Sequence, residues 1–374
     1  MEHNALARLQ ARLHHFTLHI RLTRGCNAHC SYCSSAGGTD DRMDSERFGQ
    51  ALTWIADEVF PRIGVGAQHH LTIEYLGGEV LLVPQKDLEH SVAIARDILG
   101  PKVRKLRDGV QSNLIGAPRR IDGLVALFGS NIGTSWDAHT QQRTLLGDPQ
   151  AYQRRFTASL EHLAQRHTLN PGRVLVVDAH SAPHLAQEVR DARKGNYDLV
   201  LRPVFQGGSP NVAHGTLDVL TDAYHAAYLA WMQTGGPDGT AARIEPFHSL
   251  WERHHDLNQG RMAHSGCPFQ SDCALKSLSL DPDGALYICQ EMADARHFPL
   301  GNALDRTFDE TTWKRLARRT QHLDSSCKSC PWLQACGGGC MNEAVERFGD
   351  PFAKTELCKV WTTIFTEMDA AATA

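Results

Sequence analysis

The chain has 374 residues, 42% of them hydrophobic, and a formal net charge of -4, which indicates a globular protein large enough for more than one domain. So small a charge gives no electrostatic reason to expect a nucleic acid or an acidic membrane surface as partner. No apolar run approaches the ~20 residues that span a bilayer, and the N-terminus lacks a signal-peptide pattern. We therefore expect a cytoplasmic protein outside the membrane.

The middle of the chain alternates short apolar segments with amphipathic ones. Strands are predicted over residues 16–22, 70–76, 109–113, 131–136, 173–178 and 198–204, and helices over 44–60, 86–99, 118–128, 150–167, 183–193 and 217–233. Six successive β-α units imply a parallel sheet with right-handed crossovers. Because the units end near residue 234, a partial (β/α)6 TIM-like barrel fits better than a closed eight-unit barrel.

The Gly- and Pro-rich segment 233–243 is typical of a linker. It predicts a first domain over residues 1–240 and a small cysteine-rich domain over residues 241–374. Tyr224, Tyr228 and Trp231 fall on one helical face before the linker, and we expect them in the core rather than in a binding site.

Eleven cysteines fall into two groups. Three lie between residues 26 and 33, none between 34 and 266, and eight between 267 and 358. A reducing cytosol disfavours structural disulfides, so clustered thiols indicate metal or redox chemistry. The distribution predicts two separate metal regions.

Cys26, Cys30 and Cys33 follow the first predicted strand, which places them at the carboxyl end of the sheet, where α/β proteins build active sites. The spacing C-x3-C-x2-C lets three thiolates bind one metal ion or small metal cluster. Iron–sulfur clusters usually take four cysteines, so three thiolates on a 4Fe-4S cluster leave one iron open, as a catalytic metal site requires. The alternative is a zinc site with His29 as fourth ligand.

This spacing, with Tyr32 just before the third cysteine, resembles the signature of the radical S-adenosylmethionine (SAM) superfamily. The resemblance implies that the open iron binds SAM, and that SAM is cleaved to a 5′-deoxyadenosyl radical that abstracts hydrogen from a substrate. It also implies an external electron donor of the flavodoxin or ferredoxin type.

Motifs at the next three strand ends resemble the same superfamily. LGGEV (76–80) resembles its GGEP motif with Val80 in place of proline, QSN (111–113) stands where relatives carry Gln-Thr-Asn, and SWD (135–137) where they carry Ser-x-Asp. Arg143 resembles the cation that pairs with the SAM carboxylate, although it follows Asp137 more closely than usual. The implied SAM-binding residues are Tyr32, Gly77, Gly78, Glu79, Gln111, Asn113, Ser135, Asp137 and Arg143.

The later cysteines read Cys267-x5-Cys273-x10-Gly284-x4-Cys289 and Cys327-x2-Cys330-x5-Cys336-x3-Cys340-x17-Cys358. This pattern resembles the SPASM domain of radical SAM maturases. Resemblance to anaerobic sulfatase maturases implies two auxiliary 4Fe-4S clusters, one on Cys267, Cys273, Cys289 and Cys340 and the other on Cys327, Cys330, Cys336 and Cys358, so three clusters in all. The DPDG turn (281–284) predicts a hairpin with Gly284 at positive φ. A pair of zinc ribbons is the alternative.

All eleven cysteines are thereby assigned, so no thiol remains to return a hydrogen atom to a substrate radical. Fully ligated auxiliary clusters have no open iron to hold a substrate, so we expect them to accept an electron from the substrate radical. The net reaction would then be a two-electron oxidation such as dehydrogenation or cross-linking. Resemblance implies a peptide or protein substrate. Our leading hypothesis is therefore an oxidative maturase of a ribosomally made peptide.

A sulfatase maturase that forms formylglycine is the second hypothesis. In that family an Asp directly after the third auxiliary cysteine is the proposed base, but here the residue is Gln290, and an amide cannot accept the proton in that way. Asp137 and Glu291 are the candidate catalytic bases, with Glu74 a further one. The third hypothesis, of another class, is a non-catalytic zinc or Fe-S protein.

Only 15 residues precede the first predicted strand, too few for a fused leader-binding winged helix. We therefore expect a substrate leader to be recognised by the barrel mouth, the cysteine-rich domain or a separate leader-recognition protein.

Overall fold

The computed structural model describes residues 14–35, 41–137, 139–205, 213–238, 242–259 and 272–373. Its strands are β1 (His15–Arg21), β2 (His29–Cys30), β3 (His70–Leu76), β4 (Lys105–Ser112), β5 (Ile132–Trp136), β6 (Arg143–Thr144), β7 (Gly172–Val177), β8 (Leu199–Pro203), β9 (Ile244–Glu245), β10 (Ser277–Leu280), β11 (Leu286–Tyr287), β12 (Gly301–Asn302) and β13 (Thr307–Phe308).

The helices are α1 (Ser45–Trp54), α2 (Phe60–Arg62), α3 (Gln85–Leu99), α4 (Pro118–Phe128), α5 (Pro149–His167), α6 (Leu185–Gly195), α7 (Leu217–Gln233), α8 (Phe247–Asn258), α9 (Cys273–Lys276), α10 (Gln290–Ala295), α11 (Glu310–Ala317), α12 (Arg319–His322), α13 (Ser325–Lys328), α14 (Leu333–Cys336), α15 (Met341–Phe348) and α16 (Cys358–Thr373). Within the described part of the chain, no helix has the length and apolar character needed to cross a membrane.

Nine strands form one sheet in the order β11-β10-β1-β3-β4-β5-β7-β8-β9. Every neighbouring pair is parallel except the β10–β11 hairpin. The prediction of an α/β fold with a mostly parallel sheet is confirmed, and each of the six predicted strands and six predicted helices has a counterpart. The hairpin forms at the DPDG turn as predicted, with Gly284 at φ +89.

Three strands from the predicted second domain extend the sheet of the first. β9 pairs with β8, and β10 pairs with β1. These strands have two and four residues, which is too short for hydrophobic alternation to reveal them in the sequence. Both edges of the sheet are therefore completed by the chain that follows the predicted linker.

The predicted helix over residues 44–60 is interrupted. α1 is capped by Asp44, whose side chain accepts a hydrogen bond from the Arg47 amide, but residues 55–59 form a π-helix before α2. Pro61 lacks the N–H that would continue the α-helical hydrogen bonds. The Phe60 amide donates instead to the carbonyl of Ile55, five residues back.

The buried side chains form two cores. The first lies on the helix side of β1, β3 and β4 and includes Leu278 and Trp313 from the C-terminal region. The second joins β7, β8, α6, α7 and α16 and includes Tyr224, Tyr228 and Trp231, which are at most 2% exposed, as predicted for core residues. Both cores therefore combine side chains from before and after the predicted linker.

One ion pair spans the two ends of the sheet. Arg202 on β8 pairs with Glu291 on α10, the helix that follows the β10–β11 hairpin at the other edge. The pair joins a strand near one edge of the sheet to the helix that follows the other edge.

Candidate cofactor site at the strand ends

The loop of three cysteines is held from both sides. Cys26 is exposed, whereas Cys30 and Cys33 are half-buried. β2 pairs antiparallel with β6, which places Cys30 opposite Arg143. The Ser31 hydroxyl donates to Oε1 of Gln142 (2.7 Å). The segment after β5 thus fixes the conformation of the cysteine loop.

The QSN motif at the end of β4 lies against the first cysteine. Nδ2 of Asn113 is 3.8 Å from Sγ of Cys26 and donates to Oδ1 of Asn27 (2.8 Å). Asn27 in turn donates from Nδ2 to the Ile115 carbonyl (2.8 Å). These amides bind the start of the cysteine loop to the loop after β4.

Glu79 of the GGEV motif is 1% exposed. It accepts hydrogen bonds from the Leu81 amide (2.9 Å), the Ser112 hydroxyl (2.7 Å) and the Asn113 amide (2.6 Å). Burial raises the pKa of Glu79, and these hydrogen bonds to the carboxylate oppose that effect. Glu79 therefore ties the ends of β3 and β4 together.

Two glycines let the GGEV loop approach the cysteine loop. A Cβ on Gly78 would lie 2.0 Å from the Gly25 carbonyl oxygen, and one on Gly77, at φ +151, would lie 2.5 Å from that of Thr23. The Glu79 amide donates to the Gly25 carbonyl (2.8 Å). Glycine is thus required here because two stretches of the chain's own backbone touch.

Asp137, directly after β5, keeps one oxygen unused. One carboxylate oxygen accepts a hydrogen bond from the Thr140 hydroxyl, whereas Oδ2 is buried and has no hydrogen-bond partner among the described residues. Burial raises the pKa of Asp137, and the Thr140 hydrogen bond opposes the rise. Nearby, Nε2 of Gln111 is 3.4 Å from the Ser135 hydroxyl. An orphaned buried acceptor of this kind suits a ligand that carries a donor.

Whereas Asp137 offers an acceptor, Arg143 offers buried hydrogen-bond donors and a positive charge. Its side chain is 8% exposed and its guanidinium carbon lies 5.1 Å from the centre of the Tyr152 ring. Within the described part of the chain, its Nε and Nη1 are buried without a hydrogen-bond partner. Tyr32 is also buried, and its pKa is raised by burial although the charge of Arg143 opposes this. Two buried guanidinium nitrogens without a hydrogen-bond partner suit a carboxylate, so the residues present fit the zwitterionic end of SAM.

A buried ion-pair network not anticipated from the sequence adjoins the site. Arg21 lies 3.1 Å from an oxygen of Asp281 and 2.6 Å from one of Asp294, with all three side chains 1% exposed. Arg24, at the start of the cysteine loop, also pairs with Asp281. The sequence signal for this network was Arg21 itself, a charged residue in the apolar strand FTLHIRL, because a buried arginine needs charged partners.

The same network reaches the third cysteine. Ser34 and Ser35, which follow Cys33, donate to the two oxygens of Asp294 at 2.7 and 2.5 Å. Asp294 lies on α10, just after Cys289. Both ends of the cysteine loop are therefore anchored to carboxylates of the C-terminal region.

The three candidate bases have different surroundings. Asp137 is bonded to Thr140, and Glu291 is neutralised by Arg202. Glu74 lies on the sheet face opposite the helices, 3.1 Å from Nδ1 of His19 on the neighbouring strand, with its side chain 48% exposed. Burial raises the pKa of Glu74, but the His19 hydrogen bond and the charge of Arg202 outweigh it and lower the pKa. Glu74 is therefore the accessible ionised carboxylate of the three.

Several C-terminal cysteines stand at helix starts. Cys267 lies outside the described residues. Cys273 and Cys358 begin α9 and α16, and Cys289 and Cys340 directly precede α10 and α15. The partial positive charge at a helix N-terminus favours the thiolate form, which is the form that binds metals.

Four of these cysteines interact electrostatically. Burial raises the pKa of Cys327 and Cys336, the latter to about 11, and the charge of Cys358 adds to both shifts. Cys330 similarly raises the pKa of Cys358, after burial. The charges of these four thiols therefore affect one another's pKa values.

A buried arginine lies among the two cysteine sets. Arg319 is 1% exposed and donates to the carbonyls of Pro351 (2.5 Å), Gly339 (2.7 Å) and Ala353 (2.7 Å). Burial lowers its pKa, and the thiolates of Cys340, Cys273, Cys336 and Cys327 oppose this. Among the described residues no carboxylate pairs with it. The sequence carried no signal for this role, because Arg319 sits in the basic run KRLARR.

Among the described residues, the one compact group of potential metal ligands contains no cysteine. Thiolates on one tetrahedral zinc stand about 3.8 Å apart, from a Zn–S bond of about 2.3 Å. In the described part of the chain, the one group of three or more His, Cys, Asp or Glu side chains with ligand atoms within 4.8 Å of one another is Asp122, His162 and His167. His29, the predicted fourth zinc ligand, is exposed and outside that group.

No protein-family model matches the chain. A segment of 85 residues is 31% identical to a PqqA peptide cyclase from Ruegeria pomeroyi, and it covers 22% of this chain and 23% of that protein.

Solved structures match almost the whole chain. The fold is similar to that of anSMEcpe with bound AdoMet, at a TM-score of 0.75 and 17% identity over 96% of this chain and 99% of that one. SuiB from Streptococcus suis bound to its precursor peptide SuiA has a TM-score of 0.60 and 14% identity, over 96% of this chain and 79% of that one. SuiB has also been solved with bound S-adenosylmethionine, the ligand of the anSMEcpe structure. The resemblance predicted from the sequence is thus confirmed at the level of the fold.

Proposed function

We propose that the chain is a radical SAM/SPASM enzyme that oxidatively modifies a residue of a ribosomally made peptide or protein, by cross-linking or dehydrogenation. One observation carries the proposal. The GGEV motif, the QSN motif and Arg143, which are far apart in the sequence, all lie against the C-x3-C-x2-C loop, where Asn113 lies near Cys26, Gly78 touches Gly25 and Arg143 pairs with Cys30. A structural metal site would need none of these motifs.

Cys26, Cys30 and Cys33 would hold a 4Fe-4S cluster, and Tyr32, Gly77, Gly78, Glu79, Gln111, Asn113, Ser135, Asp137 and Arg143 would surround SAM. When bound, the cluster and SAM supply the radical chemistry. Arg143 would bind the SAM carboxylate, and Oδ2 of Asp137 would accept a hydrogen bond from the ligand. Glu79 would act indirectly, because its oxygens already hold the strand ends in place.

A partial (β/α)6 barrel over residues 1–240 and a SPASM domain over residues 241–374 remain part of this proposal. The Arg202–Glu291 pair supports a strongly curved sheet. The grouping of Cys327, Cys330, Cys336 and Cys358 supports an auxiliary cluster there. Cys273, Cys289 and Cys340, with Cys267, would hold the other.

The peptide substrate is supported by the relatives. anSMEcpe has been solved with a Kp18Cys peptide and SuiB with SuiA. A flavodoxin- or ferredoxin-type donor, a separate leader-recognition protein and a cytoplasmic location complete the proposal.

The environment of α10 favours an oxidative modification other than formylglycine formation. Gln290 opens the helix and offers an amide rather than a carboxylate, and the next residue, Glu291, is neutralised by Arg202. Neither therefore supplies a free base after Cys289. Glu74, ionised and accessible, is the better acceptor for a substrate proton.

The decisive experiment measures iron, sulfide and zinc per chain after anaerobic reconstitution, together with 5′-deoxyadenosine formed from SAM. We expect about twelve irons per chain and SAM cleavage. In Cys26→Ala/Cys30→Ala/Cys33→Ala protein about four irons and all cleavage should be lost. About four irons in the unsubstituted protein would contradict the auxiliary clusters, and stoichiometric zinc without iron would contradict the whole proposal.

A further inference from the structure

Two helices outside the cofactor site converge on a group of potential metal ligands. Asp122 lies on α4, and His162 and His167 lie near the end of α5. Nε2 of each histidine is 2.7 Å from the same oxygen, Oδ1 of Asp122. The two imidazole centres are 6.0 Å apart and nearly perpendicular.

This convergence is produced by tertiary structure. Residues five apart do not share a face of an ideal helix, since neighbours on one face are three or four apart. His167 is the last residue of α5, after which Thr168 turns the chain at φ +51. The packing of α4 against α5 puts the Asp122 carboxylate between the two rings.

The arrangement has the chemistry of a divalent transition-metal site. Two imidazole nitrogens and one carboxylate oxygen are typical ligands of Zn²⁺ and its neighbours, whereas Mg²⁺ and Ca²⁺ prefer oxygen ligands. Zinc bond lengths of about 2.0–2.2 Å place tetrahedral ligand atoms roughly 3.4 Å apart. The three ligand atoms lie within 4.8 Å of one another, so small side-chain rotations would admit an ion.

The remaining features of the site agree with ion binding. The side chains are 21–30% exposed, which leaves a fourth position open to water. Arg166 approaches the other carboxylate oxygen, with Nε 3.4 Å from Oδ2, and can orient the carboxylate without occupying Oδ1. Its own side chain is 64% exposed, so solvent screens its repulsion of a cation.

We propose that Asp122, His162 and His167 form a binding site for a divalent transition-metal ion, Zn²⁺ or Ni²⁺ in class, that links α4 to α5. The site contains no thiolate and lies apart from all the proposed iron–sulfur ligands, so it would fill independently of the clusters. An ion bound here would stabilise the folded state, because the unfolded chain does not hold the three ligands together.

The test uses Ni²⁺ as the probe with cluster-loaded protein under anaerobic conditions. Equilibrium dialysis followed by metal analysis measures Ni²⁺ per chain, and iron is measured in the same samples. We expect one equivalent of Ni²⁺ that is lost in His162→Gln/His167→Gln protein, with iron unchanged. The thermal unfolding temperature should rise with Ni²⁺ in the unsubstituted protein and not in the variant.

His225→Gln is the matched control, because His225 pairs with Glu367 at 3.0 Å as a single half-buried histidine–carboxylate pair. It should retain the Ni²⁺ equivalent. If the double variant folds poorly, the single variant Asp122→Asn replaces it in the test. This substitution preserves size and packing and should weaken Ni²⁺ binding. Equal Ni²⁺ binding by the unsubstituted protein and by Asp122→Asn and His162→Gln/His167→Gln proteins would overturn the proposal.

Discussion

At the scale of single residues, the site contains two kinds of buried polar group: those that have hydrogen-bond partners and those that lack them. Glu79 is buried and fully engaged by the chain's own donors, whereas Oδ2 of Asp137 and two nitrogens of Arg143 are buried without partners among the described residues. The first arrangement holds a structure together. The second is costly unless a ligand completes it, and this is why we propose that Asp137 and Arg143, rather than Glu79, contact the cofactor.

Gly78→Ala should displace the cysteine loop. The added methyl group would lie 2.0 Å from the Gly25 carbonyl oxygen, a backbone atom that cannot move away alone. We expect destabilisation of about 2–4 kcal/mol in chemical unfolding, and reconstituted protein that has lost about four irons together with SAM cleavage. Gly100→Ala is the control, because a Cβ there meets nothing within 4 Å. Normal iron content in Gly78→Ala would show that the close approach does not matter.

At the scale of elements, charged contacts join the cysteine loop to α10. Arg21, Asp281 and Asp294 are each 1% exposed, so each charge relies on the others for compensation. Ser34 and Ser35 depend on Asp294 as well. The position of the first cysteine group is therefore coupled to the hairpin and helix that carry Cys289.

Asp294→Ala should break this coupling. Without Asp294, Arg21 and Arg24 share the single carboxylate of Asp281, so one buried positive charge is left uncompensated, and we expect a loss of about 3–5 kcal/mol in the free energy of unfolding. Denaturant unfolding measures it. Asp283→Ala is the matched control: its carboxylate is 43% exposed and 3.7 Å from Arg296, and it should cost less than about 1 kcal/mol. Equal costs for the two variants would refute the coupling.

Arg319 should set the electron affinity of the auxiliary clusters. A buried cation near Cys340, Cys273, Cys336 and Cys327 favours the more negative, reduced form of a cluster. In Arg319→Met protein we expect lower midpoint potentials for the auxiliary clusters in an EPR-monitored redox titration. Arg319→Lys keeps the charge and should restore much of the shift, which distinguishes charge from the loss of hydrogen bonds to the 337–339 loop. Unchanged potentials in both variants would contradict this role.

At the scale of the whole molecule, the regions before and after residue 240 are built into one structure. β10 pairs with β1, both cores draw side chains from both regions, and Arg202 reaches Glu291 across the sheet. The described C-terminal cysteines therefore belong to the same packed structure as the C-x3-C-x2-C loop. An electron relay between clusters needs fixed distances, which a packed structure provides.

Loss of a cysteine proposed to hold an auxiliary cluster should separate SAM cleavage from oxidation of the peptide. Cys273→Ala or Cys289→Ala protein should still form 5′-deoxyadenosine from SAM, because the first cysteine group is intact. The modified peptide, measured by its loss of two hydrogens in mass spectrometry, should be absent, since the second electron has no acceptor. Full product from either variant would exclude the relay. Thr366→Ala, on the exposed side of α16, should leave both readouts unchanged.

The sequence alone determined the order of the β-α units and the mostly parallel sheet, and it singled out GGEV and QSN, which lie against the first cysteine group. These follow from hydrophobic periods and from motifs contiguous in the chain, such as LGGEV and SWD, whose chemistry is local. The π-helix before Pro61 and the strand β9 were missed because their signals span only a few residues, and the pairing of the predicted hairpin with β1 was missed because it joins distant parts of the chain.

Only the tertiary structure decided which distant side chains meet. The Arg21–Asp281–Asp294 network, Arg319 among the cysteines, the His19–Glu74 pair and the convergence of Asp122 with His162 and His167 all join residues from separate elements. No periodicity encodes such contacts, because they depend on the packing of whole elements against one another. Burial makes these contacts important for the stability of the fold, because a charge removed from water is costly unless it has a partner.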